Sequence, residues 1–179
     1  MLVQVFAQIG LFTHLLARLT PAFGPGPAAM SISLVTLCAI VGRTLLGWAL
    51  RDHDRRLAAA ANLVMQATGS VLLGLGEGPL ALSAGCVLFG LGVGNLTTLP
   101  PLIAQSEFPP ADVGTVVALV IAINQALFAF APAVFGFLHD LTSDYIVAFL
   151  LAAAAQVLGA AAIVAGRRFS QPIQRLVGK

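Results

Sequence analysis

Six apolar stretches run the length of the chain, each bounded by glycine, proline or a short burst of charge. They cover about residues 2–19, 28–50, 57–76, 80–106, 113–138 and 145–166. The first closes at Thr20-Pro21-Ala22-Phe23-Gly24-Pro25-Gly26-Pro27, a run expected to stop a helix. The second closes at Arg51-Asp52-His53-Asp54-Arg55-Arg56, and the third at Gly76-Glu77-Gly78-Pro79. Glu107-Phe108-Pro109-Pro110-Ala111-Asp112 ends the fourth, and His139-Asp140-Leu141-Thr142-Ser143-Asp144 the fifth. Each stretch is long enough to cross a hydrocarbon core of about 30 Å as a helix. The first is the least apolar, because it carries Gln4, Gln8, His14 and Arg18. The pattern predicts an all-α integral membrane protein: one six-helix transmembrane domain over residues 1–168 and a polar tail over 169–179.

Composition agrees. Of 179 residues, 59% are hydrophobic and 9% charged, and mean hydropathy is +0.97. Soluble domains carry roughly a quarter charged residues, so a soluble fold is excluded. No continuous basic face suits a nucleic acid. Cys38 and Cys86 lie inside apolar runs and read as small buried hydrophobes. The N-terminus lacks the basic segment and cleavage site of a signal peptide.

Basic residues set the orientation. Six spans place Arg43, Arg51, Arg55, Arg56, Arg167, Arg168, Arg175 and Lys179 on one side and Arg18 alone on the other. The basic side is expected to be cytoplasmic, with both termini there. Trp48 and Tyr145 fall near opposite interfaces, and Arg43 is close enough to the inner end to snorkel.

Polar residues inside a membrane are costly, so each needs a reason. Gln4, Gln8 and Arg18 share a helical stripe with Leu11 and Leu15, and His14 borders it. The stripe is either a polar seam against a neighbouring helix or the wall of a cavity. Span four holds Gly90-Leu91-Gly92-Val93-Gly94-Asn95, suited to close helix approach, followed by Thr98 and the helix-kinking Pro100 and Pro101. Span five pairs Asn124 with Gln125, of which at most one can face a cavity, and carries Pro132 as a further kink. Asn62, Gln66 and Thr68 on span three and Gln156 on span six read as packing residues. All seven acidic residues lie at span ends or in loops, so a proton carrier, if there is one, belongs to a partner chain or domain; facilitated diffusion, or exchange of organic anions against Arg18 and His14, is equally compatible.

The loop after span two carries the most specific signal. Gly42-Arg43-Thr44-Leu45-Leu46-Gly47 leads into the charged run containing Asp52, Arg55 and Arg56. It resembles the Gly-x-x-x-Asp-Arg-x-Gly-Arg-Arg loop of the major facilitator superfamily, in its copy between helices eight and nine. Gly47, Arg55 and Arg56 are in register, whereas Arg51 stands at the aspartate position and Asp54 at the second glycine. The runs from Asn95 to Phe108 and from Ala131 to Gly136 are similar to that family as well. The resemblance implies the C-terminal half of such a transporter, helices seven to twelve, folded as two inverted three-helix repeats. It implies alternating-access movement of a small solute, with an organic anion among the candidates. It also implies an inner-membrane location, helix seven on the translocation path and helix ten as a gate. The expected partners are the bilayer, the substrate, and an N-terminal six-helix half (of the same gene or a separate chain) or a second copy. No cofactor and no metal are expected. The alternatives are a truncated fragment or an oligomeric six-span channel. Ala81-Leu82-Ser83-Ala84-Gly85 lacks the deep histidine an intramembrane serine protease needs, so catalysis is not expected.

Overall fold

In hydrocarbon, backbone N–H and C=O groups have no water to bond, so long apolar runs must satisfy them internally as helices. The computed structural model describes residues 2–49, 54–93, 95, 104–105 and 108–177, and the backbone alone at 2–4, 49, 55, 127 and 167–177. Its helices are α1 (Leu2–Phe23), α2 (Pro25–Ala49), α3 (Arg55–Leu75), α4 (Gly78–Val93), α5 (Pro110–Thr142) and α6 (Ile146–Val177). Four segments are long and apolar enough to cross a membrane: Pro25–Trp48, Arg56–Leu75, Pro110–Thr142 and Ile146–Gly166. Two predicted spans remain: α1, which carries Gln8, His14 and Arg18, and the shorter apolar Gly78–Val93 of α4. Residues 104–105, at the far end of the fourth predicted span, are also helical.

The helix ends differ from the sequence expectation for identifiable reasons. α1 does not stop at Thr20 but runs through Pro21 to Phe23. A proline in the last turn costs one backbone donor and still allows the carbonyls to be used. Thr20 O accepts from the Gly24 N–H at 2.9 Å. The break comes at Gly24, whose φ of +79° reverses the chain, and Pro25 then opens α2 as the first helical residue. Asp54 caps α3, its carboxylate accepting from the Arg56 N–H at 2.8 Å. Its extended backbone needs no glycine, which accounts for aspartate at the loop's second glycine position. α6 continues to Val177, so most of the predicted polar tail is a helical extension.

α3 and α6 form the most extensive helix pair, followed by α3 with α4, α2 with α4 and α1 with α5. α3 and α6 are antiparallel and keep one register from end to end. Gly74 lies against Phe149, Ser70 bonds Gln156, Leu63 and Ala60 cluster with Ala160, and Arg56 reaches Gly166. The last turns of α1 and α3 meet where Arg18 bonds Gly74 and Gly76, and the α5–α6 turn lies beside them. The C-terminal ends of α1, α3 and α5 therefore share one end of the bundle, as alternating crossings require. Leu11, Leu15, Leu19, Val35, Leu73, Leu82, Phe89 and Phe149 form the centre of the core. α2 and α5 are the least covered helices, α5 exposing Leu119, Ile121, Phe128, Phe130 and Phe137.

Close approach is set by small residues. A methyl on Gly42 would overlap the carbonyl oxygen of Leu91, and one on Gly69 would sit 2.6 Å from the Phe89 nitrogen. These contacts let α4 lie directly on the backbones of α2 and α3.

Candidate functional site

The structure sorts the candidate residues into separate places. On α1, the stripe faces inward: Gln8 is 5% exposed, and Leu11 and Leu15 are fully buried. The Gln4 side chain lies outside the described residues. His14 is half-buried where α1 crosses α5, its Nε2 lying 3.1 Å from the Pro132 carbonyl oxygen. A carbonyl can only accept, so Nε2 carries the proton, and a neutral His14 leaves Nδ1 as an acceptor. Its ring stacks at 15° to Phe135 and lies 5.7 Å from Tyr145, which in turn stacks on His139 at 4.2 Å. The ladder continues to Asp140, whose carboxylate is 3.5 Å from His139 Nδ1. Neither the Tyr145 link nor the His139 link was legible in the sequence, because the α5–α6 turn must fold back before those rings meet.

Arg18, half-buried one turn further along α1, donates to the Gly74 and Gly76 carbonyl oxygens, each at 3.3 Å. These are among the carbonyls a helix leaves unbonded at its C-terminus, where the helix dipole also favours a cation. Both partners are neutral. The buried Nε has no hydrogen-bond partner among the described residues.

A third group lies between α2, α3 and α4. Asn95 Nδ2 donates to Asn62 Oδ1 at 2.7 Å and to the Leu91 carbonyl at 3.1 Å, while Asn62 Nδ2 donates to the Gly92 carbonyl at 3.2 Å. The two amides floor a groove of about 510 Å³ whose walls include Leu45, Leu46, Leu57, Met65 and Leu91, with Gly42 and Asp54 also lining it. The groove thus unites Asn95, a cavity candidate, with Gly42 of the loop motif and with Asn62, which read as a packing residue. Asn62 does pack, but its amide also borders open space. A mid-membrane amide facing a glycine-rich helix was the available signal for this pairing.

Further along α3, on the side that meets α6, Ser70 donates to Gln156 Oε1 at 2.9 Å, and Gln66 and Gln156 are fully buried beside it. Thr68 instead points outward and bonds Val64 of its own helix at 3.0 Å. On α5, Gln125 is exposed, while Asn124 is half-buried with an Oδ1 that finds no partner among the described residues. α5 stays helical through Pro132. Arg43 is exposed on α2, Arg56 half-buried on α3, and Gly47 has nothing near it that a side chain would disturb. Asp52, Thr98, Pro100 and Pro101 lie outside the described residues, as does the side chain of Arg55. Among the described residues, no group of three or more His, Cys, Asp or Glu side chains could hold a metal ion.

Among the described residues, these polar clusters are set within long apolar helices. A profile of the family described as "Uncharacterised MFS-type transporter YbfB" matches residues 6–164, from the first turns of α1 into α6. The chain belongs to this family. No curated protein matches it. Membership makes the chain a membrane protein of the major facilitator (MFS) type, and the loop resemblance between α2 and α3 takes its place within a match to most of the chain. The MFS assignment covers every helix that carries a candidate residue described above.

Proposed function

We propose that this MFS chain is the half carrying helices seven to twelve, and that it moves a small organic anion by alternating access across the inner membrane with both termini cytoplasmic. The observation that carries the substrate class is Arg18. It is a half-buried cation bonded to carbonyls alone, with its Nε donor unused among the described residues. A carboxylate or phosphate supplies the acceptor and charge that this guanidinium lacks. His14, one turn earlier, offers a second polar contact on the same helix.

The packing supports two inverted repeats, because helix partners map onto one another when α1–α3 are exchanged with α4–α6. α1 packs on α5 as α4 packs on α2, and α1 packs on α6 as α4 packs on α3. α2 and α5 are equivalent in that exchange, and both are poorly covered. Their apolar faces suit a second six-helix half, which would complete a midplane site.

The test is uptake of a panel of mono- and dicarboxylates into proteoliposomes. Arg18→Ala is expected to abolish uptake of the transported anion, and Arg18→Lys to retain part of it, with both variants inserted in the membrane. Undiminished anion uptake by a well-inserted Arg18→Ala protein would leave Arg18 as a helix cap and remove the basis for an anionic substrate.

A further inference from the structure

The helix register places two arginine pairs, more than a hundred residues apart in the sequence, at one end of the α3–α6 pair. Ala60 and Leu63 of α3 pack with Ala160 and Ile163 of α6 just inside that end. One turn further out, the Arg56 guanidinium lies against Gly166, so close that a Cβ there would be 3.1 Å from Nη1. Arg55 and Arg56 form the first turn of α3, and Arg167 and Arg168 directly follow Gly166 on α6. The helix register therefore brings four arginines to a single helix end. Arg43 adds a fifth cation near the corresponding end of α2.

On its other side, the start of α3 forms one wall of the groove. Leu57, Ala58 and Ala61 of α3 face Leu45 and Leu46 of α2 across a space of about 510 Å³. The groove is apolar along its walls. Asp54 is the acid on its rim among the described residues, and its carboxylate accepts from the Arg56 backbone N–H as a helix cap. An apolar groove wide enough for hydrocarbon, next to a helix end bearing four arginines, matches a molecule with a long apolar chain and a phosphate head.

We propose that this end of the bundle binds an anionic phospholipid of the adjacent leaflet, with an acyl chain in the α2–α3–α4 groove and the phosphate at the α3–α6 arginine end. Charge complementarity selects an anionic head over a zwitterionic one, because the four arginines outnumber Asp52 and Asp54, the two acids of the adjoining loop. The bound lipid joins α2, α3 and α6 at the same end as the loop motif, giving that loop a lipid-dependent stiffness. The site requires only that the chain sits in a bilayer, and it is independent of the transported solute.

The purified chain is reconstituted in nanodiscs of phosphatidylcholine alone or of an equal mixture with phosphatidylglycerol. Co-purifying lipid is quantified, and the thermal midpoint is recorded in each. The lipid retained by the wild-type chain is expected to show a phosphatidylglycerol-to-phosphatidylcholine ratio about tenfold that of the bulk mixture, and the chain to melt higher in it. Arg167→Gln with Arg168→Gln should lose most of that enrichment, while Arg55→Lys with Arg56→Lys, which keeps the charge, should preserve it. Ala61→Phe, which fills the groove, should lose the bound lipid with all arginines intact. Equal lipid retention and equal melting in the two bilayers would overturn the proposal, as would full phosphatidylglycerol enrichment by Ala61→Phe. An equal stabilisation by soluble glycerol phosphate would also overturn it, showing a free-anion site with no acyl chain. Because lipid retention is read without any uptake assay, its failure is distinct from failure of the transport reading.

Discussion

At Gly42 a methyl group would overlap the Leu91 carbonyl oxygen, whereas nothing lies within 4 Å of a Cβ built on Gly47. The two glycines of the loop motif thus differ in what they permit, though they look alike in the sequence. Gly42→Ala should push α2 off α4 and destabilise the fold by about 1–3 kcal/mol. Gly47→Ala removes chain entropy from an exposed helical position and should be neutral or stabilise by up to about 1 kcal/mol. Thermal melting in detergent separates the two, and equal effects would contradict the packing of α2 on α4. The buried amides behave differently, because their cost lies in losing a partner. Gln156→Leu leaves Ser70 without its side-chain acceptor and should cost about 1–3 kcal/mol, toward the lower end in a membrane setting. Hydrophobic context alone indicated that Asn62, Gln66, Asn95 and Gln156 need partners. It could not say that Asn95 meets Asn62, because that contact depends on the register of the α3–α4 hairpin.

At the scale of helices, the pairing of α3 with α6 is the contact least visible in the chain. Ninety residues separate Gln66 from Gln156, and neither helix carries a pattern naming the other. The structure brings them together through small residues and amides along one line. Gly74→Cys combined with Phe149→Cys places two Cβ atoms near 3.1 Å, within a few tenths of an ångström of disulfide geometry. Mild oxidation should therefore form an intrachain bond, read as a gel-mobility shift reversed by reductant. Its absence in a membrane-inserted protein would contradict the antiparallel register. Helix existence, by contrast, was legible among the described residues, since apolar length alone requires it. At Asp54 the cap signal is local, yet the apolar pattern began the span at Leu57 and left Asp54 to Arg56 in the loop, because hydropathy does not report a charged first turn. The helix end was misplaced at Thr20-Pro21, because a proline in a last turn spoils one donor and leaves the following residues free to finish the turn.

For the whole molecule, the meeting of Arg18 with the end of α3, and of Arg56 at the start of α3 with Gly166 of α6, assigns helix termini to two opposite faces. Single cysteines at Gly24, Glu77 and Ser143 should react with an impermeant maleimide from one side of the membrane. A cysteine at Asp54 or Phe108 should react from the other. Labelling of both groups from the same side would rule out six alternating crossings. The comparison is best made in a background where Cys38 and Cys86 are replaced by serine or alanine.

Hydropathy, helix length and loop chemistry are local properties of the chain, and they were enough to mark a helical membrane protein of the MFS kind. It also picked out the polar residues that a membrane makes costly. What those residues touch came from the folded bundle: Arg18 bonds the Gly74 and Gly76 carbonyls, His14 bonds the Pro132 carbonyl, and Asn95 borders a groove with Asn62. Each of those roles needs a partner from another helix, and which helices meet is set by packing across the bundle. No single segment of the chain encodes that information.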